Sequence, residues 1–166
     1  ATTRFIGDNY TFIDCPGSIE FAQEARAALA GCDAAVVVCE ADEKKVPALQ
    51  LILKQLDELG LPRFVFINKI DKTELSPRDV LASMQPASSK PLILRQIPIW
   101  TAGVVTGYVD LALERAFVYR EQAESQVIDI PADVAGLEKA ERFAMLEKLA
   151  DHDDEMMEQL LPDMEP

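Results

Sequence analysis

Two short polar motifs each follow an apolar, β-rich run of this chain. The sequence DCPG at residues 14–17 closes the run YTFID, and NKID at residues 68–71 closes the run RFVFIN. In open α/β sheets, ligands bind outside the carboxyl ends of the strands. The two motifs therefore predict a ligand site at that edge of a sheet.

The first motif contains residue types that suit a phosphate and its metal ion. The carboxylate of Asp14 can hold the water shell of a Mg²⁺ ion, and Gly17 lets its backbone N–H come close to a terminal phosphate. Asp, Pro and Gly also form ordinary turns. A turn without a ligand is therefore the alternative for this motif taken alone.

The second motif contains residue types that suit a guanine base. Guanine presents an N–H and an amino group side by side, and the single carboxylate of Asp71 can accept both. Asn68 could bond the base edge or brace neighbouring loops, and the stem of Lys69 could cover the ring face. A helix cap after a strand is the alternative. The two motifs in this order, both at strand ends, are more specific than either alone.

Apolar runs alternate with amphipathic stretches in the first part of the chain, which is typical of a parallel α/β sheet. The runs predict strands at 10–14, 34–39 and 63–68. Helical spacing of apolar residues predicts helices at 19–30 and 47–60 between them. These two crossovers predict a doubly wound sheet.

The pattern changes after the NKID motif. Residues 72–90 are polar and rich in Ser and Pro, with a short helix predicted at 77–84. From Pro91 onward, three apolar runs follow one another too closely for helices between them, which predicts a small antiparallel sheet. Further helices are predicted from Pro131 and around residues 156–161.

Composition indicates a globular and acidic chain. Of its 166 residues 49% are hydrophobic, and the formal net charge is −13. Residues 1–90 hold 10 basic and 13 acidic side chains, whereas residues 91–166 hold 6 and 16. A basic surface that follows nucleic-acid phosphates is therefore not expected. The three cysteines lack C-x-x-C spacing and no apolar run approaches the ~20 residues of a membrane span, so the sequence predicts reduced thiols, no membrane segment and a cytoplasmic location.

The two motifs resemble those of the translational GTPases. DCPG is similar to their D-x-P-G motif, NKID to their N-K-x-D guanine motif, and the opening ATT to the segment after their first switch region. The segments QIPI, GVVTGYVDL, IPAD and DHDDEMMEQLL resemble the insert within the GTP-binding domain of elongation factor G. The resemblance predicts an incomplete P-loop GTPase-type doubly wound parallel sheet with a small α+β inserted subdomain. It implies a partial GTP-binding domain at residues 1–90 and the inserted subdomain at 91–166.

The resemblance also implies ligands and partners. In the intact protein, Asp14, Gly17, Asn68, Lys69 and Asp71 would bind GTP or GDP, with Asp14 holding Mg²⁺ through water. The protein would act on the ribosome, in translocation or a related elongation step, and the insert would contact the stalk protein of the large subunit.

Three departures from the family pattern qualify these expectations. The family has a histidine directly after D-x-P-G that helps position the attacking water, and this chain has Ser18. No G-x-x-x-x-G-K-[ST] phosphate loop is present, so weak or no GTP binding is expected of this chain, with no bound cofactor. The last guanine-contacting loop is also missing, because Trp100–Gly103 resembles it only superficially and lies among the strands of the insert.

Several alternatives remain open from the sequence. A hydrolysis-deficient paralogue that serves as a nucleotide-sensing or ribosome-binding module is favoured by Ser18, and a ribosomal protection factor of the tetracycline-resistance type is a further option. His152 lies among acidic residues, where a solvated first turn of a helix competes with a metal site. Met156 and Met157 suit core or interface contacts.

The missing phosphate-loop strand predicts an opened sheet. In the family fold this strand lies between the strands predicted at 10–14 and 34–39, so both would carry unpaired backbone groups. Self-association through these edges is expected. Direct pairing of the two strands, or loose order in this half of the chain, are the alternatives.

Overall fold

The computed structural model describes residues 1–17 and 22–151, and the side chains of 22–24 lie outside the description. It contains two compact units, which meet in the chain between Asn68 and Lys69. The segment between the NKID motif and residue 90 thus belongs to the second compact unit. Resemblance to the segments of a known family divides the chain between residues 90 and 91. That division is a different one and stays a prediction.

The first unit begins with a β-hairpin. Strands β1 (Thr2–Phe5) and β2 (Asp8–Thr11) pair in antiparallel fashion. The turn between them has positive φ at both central residues, 49° and 91°, and the second is Gly7, as short hairpin turns require. The strand predicted at 10–14 starts and ends earlier than expected, at Asp8 and Thr11. Phe12 exchanges two backbone hydrogen bonds with Ala1, and Ile13 and Asp14 lie outside the strand.

A parallel pair of strands forms the rest of the first unit. Its elements in chain order are α1 (Ala22–Leu29), β3 (Ala35–Glu40), α2 (Val46–Glu58) and β4 (Arg63–Asn68). Strands β3 and β4 are parallel, with α2 as the crossover between them. Helix α2 ends before Gly60, because the φ of 63° at Gly60 is incompatible with a right-handed helix. This β3–α2–β4 unit confirms the alternation that the sequence predicts.

The two faces of the β3–β4 pair differ sharply in exposure. Helix α2 buries Leu49, Leu53 and Leu56, and β3 buries Ala35 and Val37. The alternate residues point the other way and remain 54–63% exposed. These large apolar residues, which we call the open face, are Val36, Val38, Phe64 and Phe66.

The hairpin and the parallel pair are separate two-stranded sheets. Among the residues that the structure describes, β2 pairs with β1 and β3 pairs with β4. Direct pairing of β2 with β3, one of the three ways of closing the opened sheet, does not occur. Across the same residues, no helix has both the length and the apolar character needed to cross a membrane.

The second unit contains a four-stranded antiparallel sheet and two helices. Its elements in chain order are α3 (Pro77–Met84), β5 (Gln96–Thr101), β6 (Val104–Asp110), β7 (Arg115–Arg120), β8 (Ala123–Ile128) and α4 (Ala135–Ala150). The strand order is β5-β6-β7-β8. The small antiparallel sheet is thus confirmed, with one strand, β8, that the sequence did not predict. The last helix, predicted around 156–161, lies outside the described residues.

The core of the second unit lies between one sheet face and α4. Ile97, Val109 and Ala116 stand in one row across three strands and are fully buried, and Val134 and Met145 close the cluster. The opposite sheet face carries Tyr108 and Phe117, which stack with ring centroids 5.0 Å apart. The insert-like segment therefore builds a core of its own.

Candidate nucleotide site

The DCPG motif lies in an extended segment that follows the hairpin. β2 ends at Thr11, and residues 12–17 have no regular secondary structure. Asp14 and Gly17 are exposed, and Cys15 is half-buried. The side chain of Asp14 is thus available to a ligand. Ser18 lies outside the described residues, so its expected place beside the attacking water is not tested.

Gly17 has open space around its Cβ position among the residues that the structure describes. A Cβ atom placed there would meet no atom within 4 Å. Glycine is otherwise chosen where a ligand or another backbone approaches closely. The space beside Gly17 fits the approach of a phosphate to its backbone N–H.

The NKID motif begins at the carboxyl end of a parallel strand. Asn68 is the last residue of β4 and lies opposite Glu40, the last residue of β3. Parallel strands end at the same edge of a sheet, so the motif leaves the sheet where open α/β folds bind ligands. The predicted position of this motif at a strand end is therefore observed.

Lys69 turns the chain sharply at this point. Its φ and ψ are 55° and 38°, in the left-handed region, which is uncommon for a residue with a side chain. A 3₁₀ turn at Ile70–Lys72 follows, and the N–H of Lys72 donates to the carbonyl of Lys69 at 3.0 Å. Asp71 is the central residue of this turn and is exposed. Asp71 thus follows the last residue of β4 by three positions in the chain.

The predicted site residues are divided between the two compact units. Asp14, Gly17 and Asn68 belong to the first unit, and Lys69 and Asp71 belong to the second. NKID begins at the end of a strand as the sequence predicts, whereas β2 ends three residues before Asp14, so DCPG does not directly follow a strand. The meeting of all five residues around one ligand stays a prediction.

Two residues beside the NKID motif were not predicted from the sequence. Glu40 lies opposite Asn68, and its carboxylate accepts a hydrogen bond from Lys45 Nζ at 2.7 Å. This bond raises the pKa of Lys45 above its ordinary value. Glu40 directly follows the apolar run AAVVVC. A charged residue at that position was the signal from which Glu40 could have been predicted.

Cys39, the residue before Glu40, is half-buried. Burial raises the pKa of the Cys39 thiol above its ordinary value. A thiol attacks as its thiolate, and burial disfavours that form of Cys39. Cys15, Cys32 and Cys39 are all free thiols.

The other candidates of the sequence analysis lie outside a site or outside the description. Trp100 and Thr101 are the last residues of β5, and Ala102 and Gly103, with φ of 51° and 79°, form the turn to β6. This geometry makes it a hairpin turn. His152, Met156 and Met157 fall outside the described residues. Among the residues described, no group of three or more His, Cys, Asp or Glu could hold a metal ion.

Comparison with known proteins agrees with these features. The family model for the elongation factor Tu GTP binding domain matches residues 3–158, which is nearly the whole chain. The chain therefore belongs to the GTP-binding domain family of the translational elongation factors, and its fold class is the α/β fold of that family.

Curated relatives point to the elongation factor G branch. An elongation factor G-like protein of Synechocystis is 46% identical over 155 residues, which are 93% of this chain and 23% of that protein. Elongation factor G 1 of Borrelia garinii is 32% identical over 148 residues, 88% of this chain and 21% of that protein. The chain thus spans less than a quarter of the length of these relatives.

A solved structure shares the fold over almost the whole chain. A crystal structure of a protein from Thermus thermophilus matches with a TM-score of 0.79 and 26% identity, covering 99% of this chain and 24% of the other. The fold of this chain is therefore one that a known protein also adopts.

Proposed function

We propose that the intact protein containing this chain binds GTP and GDP with Mg²⁺ and acts on the ribosome as an elongation factor G-type GTPase. The observation that carries this proposal is the position of Asp71. A parallel strand ends at Asn68, and a tight turn places Asp71 just beyond its carboxyl end. One carboxylate there can accept both neighbouring donors of guanine, and adenine offers no such pair.

The DCPG segment is proposed to serve the phosphate end. Gly17 leaves room for a phosphate at its backbone N–H, and Asp14 is exposed three residues before it. Mg²⁺ keeps several waters and needs only one or two carboxylates together with phosphate oxygens. A single aspartate therefore fits Mg²⁺ held through water, and the ion would neutralise charge on the phosphates.

Hydrolysis is proposed to be slow, because Ser18 stands where the family has histidine. A hydroxyl can orient water, but it cannot carry the charge of an imidazole. The second candidate function therefore keeps the nucleotide site without fast hydrolysis. In that case the protein would be a nucleotide-sensing or ribosome-binding module.

The insert is proposed to dock the intact protein on its partner. Residues 91–166 hold 6 basic and 16 acidic side chains, and the described part of this segment builds a core around its sheet and α4. An acidic surface suits a protein partner rather than RNA phosphates. We infer that this partner is the stalk protein of the large ribosomal subunit, and that the protein works in the cytoplasm. The division into 1–90 and 91–166 is proposed on the same basis.

This chain by itself is proposed to bind nucleotide weakly and to self-associate. It has no phosphate loop, which supplies the backbone N–H groups and the lysine for the β and γ phosphates. The open face leaves four large apolar side chains of β3 and β4 in solvent. A second copy could add its own strand at the edge of β3, and its apolar side chains could pack on the open face.

Nucleotide binding by the full-length protein tests the proposal. Fluorescent GTP, GDP and ATP analogues are titrated against the full-length protein and against this chain. We expect tight, Mg²⁺-dependent binding of the guanine nucleotides to the full-length protein only. Equal affinity for ATP and GTP would contradict the role of Asp71. Absence of any nucleotide binding by the full-length protein would contradict the proposed function itself.

A further inference from the structure

An ion pair joins the segment that carries Asp71 to the long helix of the insert. Arg78, in the first turn of α3, donates from Nε to Oε1 of Glu141 on α4 at 2.9 Å. The Glu141 side chain is 5% exposed, whereas that of Arg78 is 61% exposed. Glu141 is therefore a buried carboxylate that pairs with an exposed guanidinium on a different helix.

The connection from Asp71 to α3 is short and contains two hydrogen bonds. The N–H of Thr73 donates to the carbonyl of Ile70 at 3.3 Å and closes the turn around Asp71. Thr73 Oγ1 then accepts from the N–H of Leu75 at 3.2 Å. A displacement of α3 would therefore be transmitted to the turn.

The start of α3 is fixed in the same way. Ser76 is its N-cap and accepts from the N–H of Asp79 at 3.2 Å, and its hydroxyl donates to Asp79 Oδ2 at 2.7 Å. Pro77 occupies the first turn, where its fixed φ suits a helix. Arg78 is thus mounted on a rigid helix start, seven residues after Asp71.

A second buried carboxylate lies one turn away on α4. Glu138 is 5% exposed, and within the described part of the chain its Oε1 has no hydrogen-bond partner. Residues three apart on a helix share a face. A guanidinium has five N–H donors, so Arg78 has the donors to serve Glu138 as well as Glu141.

We propose that Arg78 and Glu141 are positioning residues for Asp71, with Glu138 as a second acceptor for Arg78. Through this pair, the state of α4 would affect guanine binding, and guanine binding would affect α4. Coupling of this kind is reciprocal by thermodynamic necessity. The inference deepens the proposed function, on which it rests, by giving the insert a way to regulate the nucleotide site.

Hydrogen exchange on this chain tests the mechanical part without nucleotide. The amides of Lys72 and Thr73 report the turn around Asp71. We expect Arg78→Ala to raise their exchange rates about three- to tenfold, the effect of one partly buried ion pair. Glu138→Gln combined with Glu141→Gln should raise them equally, and Arg78→Lys should restore much of the protection.

The matched control is Arg95→Ala. Arg95 pairs with buried Asp110 at 3.0 Å, so it has the same kind of partner within the sheet of the insert. The Arg95→Ala variant should leave the amide exchange rates of Lys72 and Thr73 unchanged. Unchanged exchange in Arg78→Ala, or an equal rise in Arg95→Ala, would overturn the inference.

Nucleotide titration of the full-length protein tests the coupling. GDP should raise the protection of α4 amides against exchange in the wild type and not in Arg78→Ala. Arg78→Ala should also bind GDP more weakly, by the factor that corresponds to the lost coupling free energy between α4 and the nucleotide site. If GDP binds and depends on Asp71 but its affinity is the same in Arg78→Ala, the inference fails and the proposed function stands. If GDP does not bind even the wild type, the proposed function fails, and the exchange experiment alone decides whether Arg78 positions the turn.

Discussion

Glu40 and Asn68 lie opposite each other as the last paired residues of β3 and β4. The two strands therefore end together, and both following segments start from the same edge of the sheet. A shift of this register by one residue would exchange the buried and exposed faces of the pair. The buried positions Ala35 and Val37 under α2 thus help to fix where the NKID motif emerges.

The first prediction concerns base recognition by Asp71. Asp71→Asn in the full-length protein should weaken GTP binding about 10- to 100-fold, because an amide cannot accept both donors of guanine. Xanthine presents a carbonyl where guanine has the amino group, so the variant should prefer xanthosine nucleotides. Titration with both nucleotides measures the exchange of preference. Glu74→Gln, three residues away and exposed, is the control. Unchanged GTP affinity in Asp71→Asn would remove the assignment.

The regular elements near this site were predictable because their patterns are strong. The bounds predicted for β4 and α3 agree with the observed Arg63–Asn68 and Pro77–Met84. Each has a clear apolar period and an end signal, such as the Ser-Pro that begins α3. The expected carboxyl-edge position of NKID followed from the strand alone.

Other elements carry too little apolar contrast to be predicted. Strand β8 has the sequence AESQVI and lies at the sheet edge, where polar residues are favoured. All four residues of β1 are exposed, so no buried face marked it as a strand. The left-handed backbone of Lys69 and the pairing of Glu40 with Lys45 depend on the tertiary register. Sequence patterns do not contain that information.

The second prediction concerns Ser18. Ser18→His should raise ribosome-stimulated GTP hydrolysis by the full-length protein, by about 10²-fold if the imidazole orients water or shuttles a proton. Phosphate release with and without ribosomes measures this rate. Ser18→Ala is the control and should stay near the wild-type rate. The idea of impaired catalysis is wrong if the natural serine protein already turns over as fast as a histidine-bearing relative.

The third prediction concerns the open face. The mass of this chain by light scattering should rise with concentration, because Phe64 and Phe66 of β4 are more than half exposed on the open face. Phe64→Lys should reduce this association by placing a charge in the contact. Leu51→Lys changes a similarly exposed residue of α2 and serves as the control. A wild-type chain that stays monomeric at high concentration would rule self-association out.

The last prediction separates two glycines of the insert. A Cβ at Gly107 on β6 would clash with the carbonyl oxygen of Phe117 on the paired strand, so the backbone itself must move. Gly107→Ala should therefore lower the free energy of unfolding by about 1–3 kcal/mol or more. Gly136 on α4 has nothing within 4 Å of the same position, and Gly136→Ala should raise stability by about 0.5–1 kcal/mol through helix propensity. Urea unfolding of both variants, followed by the fluorescence of Trp100, measures the two effects. The close packing of β6 on β7 would be disproved by a Gly107→Ala variant as stable as the wild type.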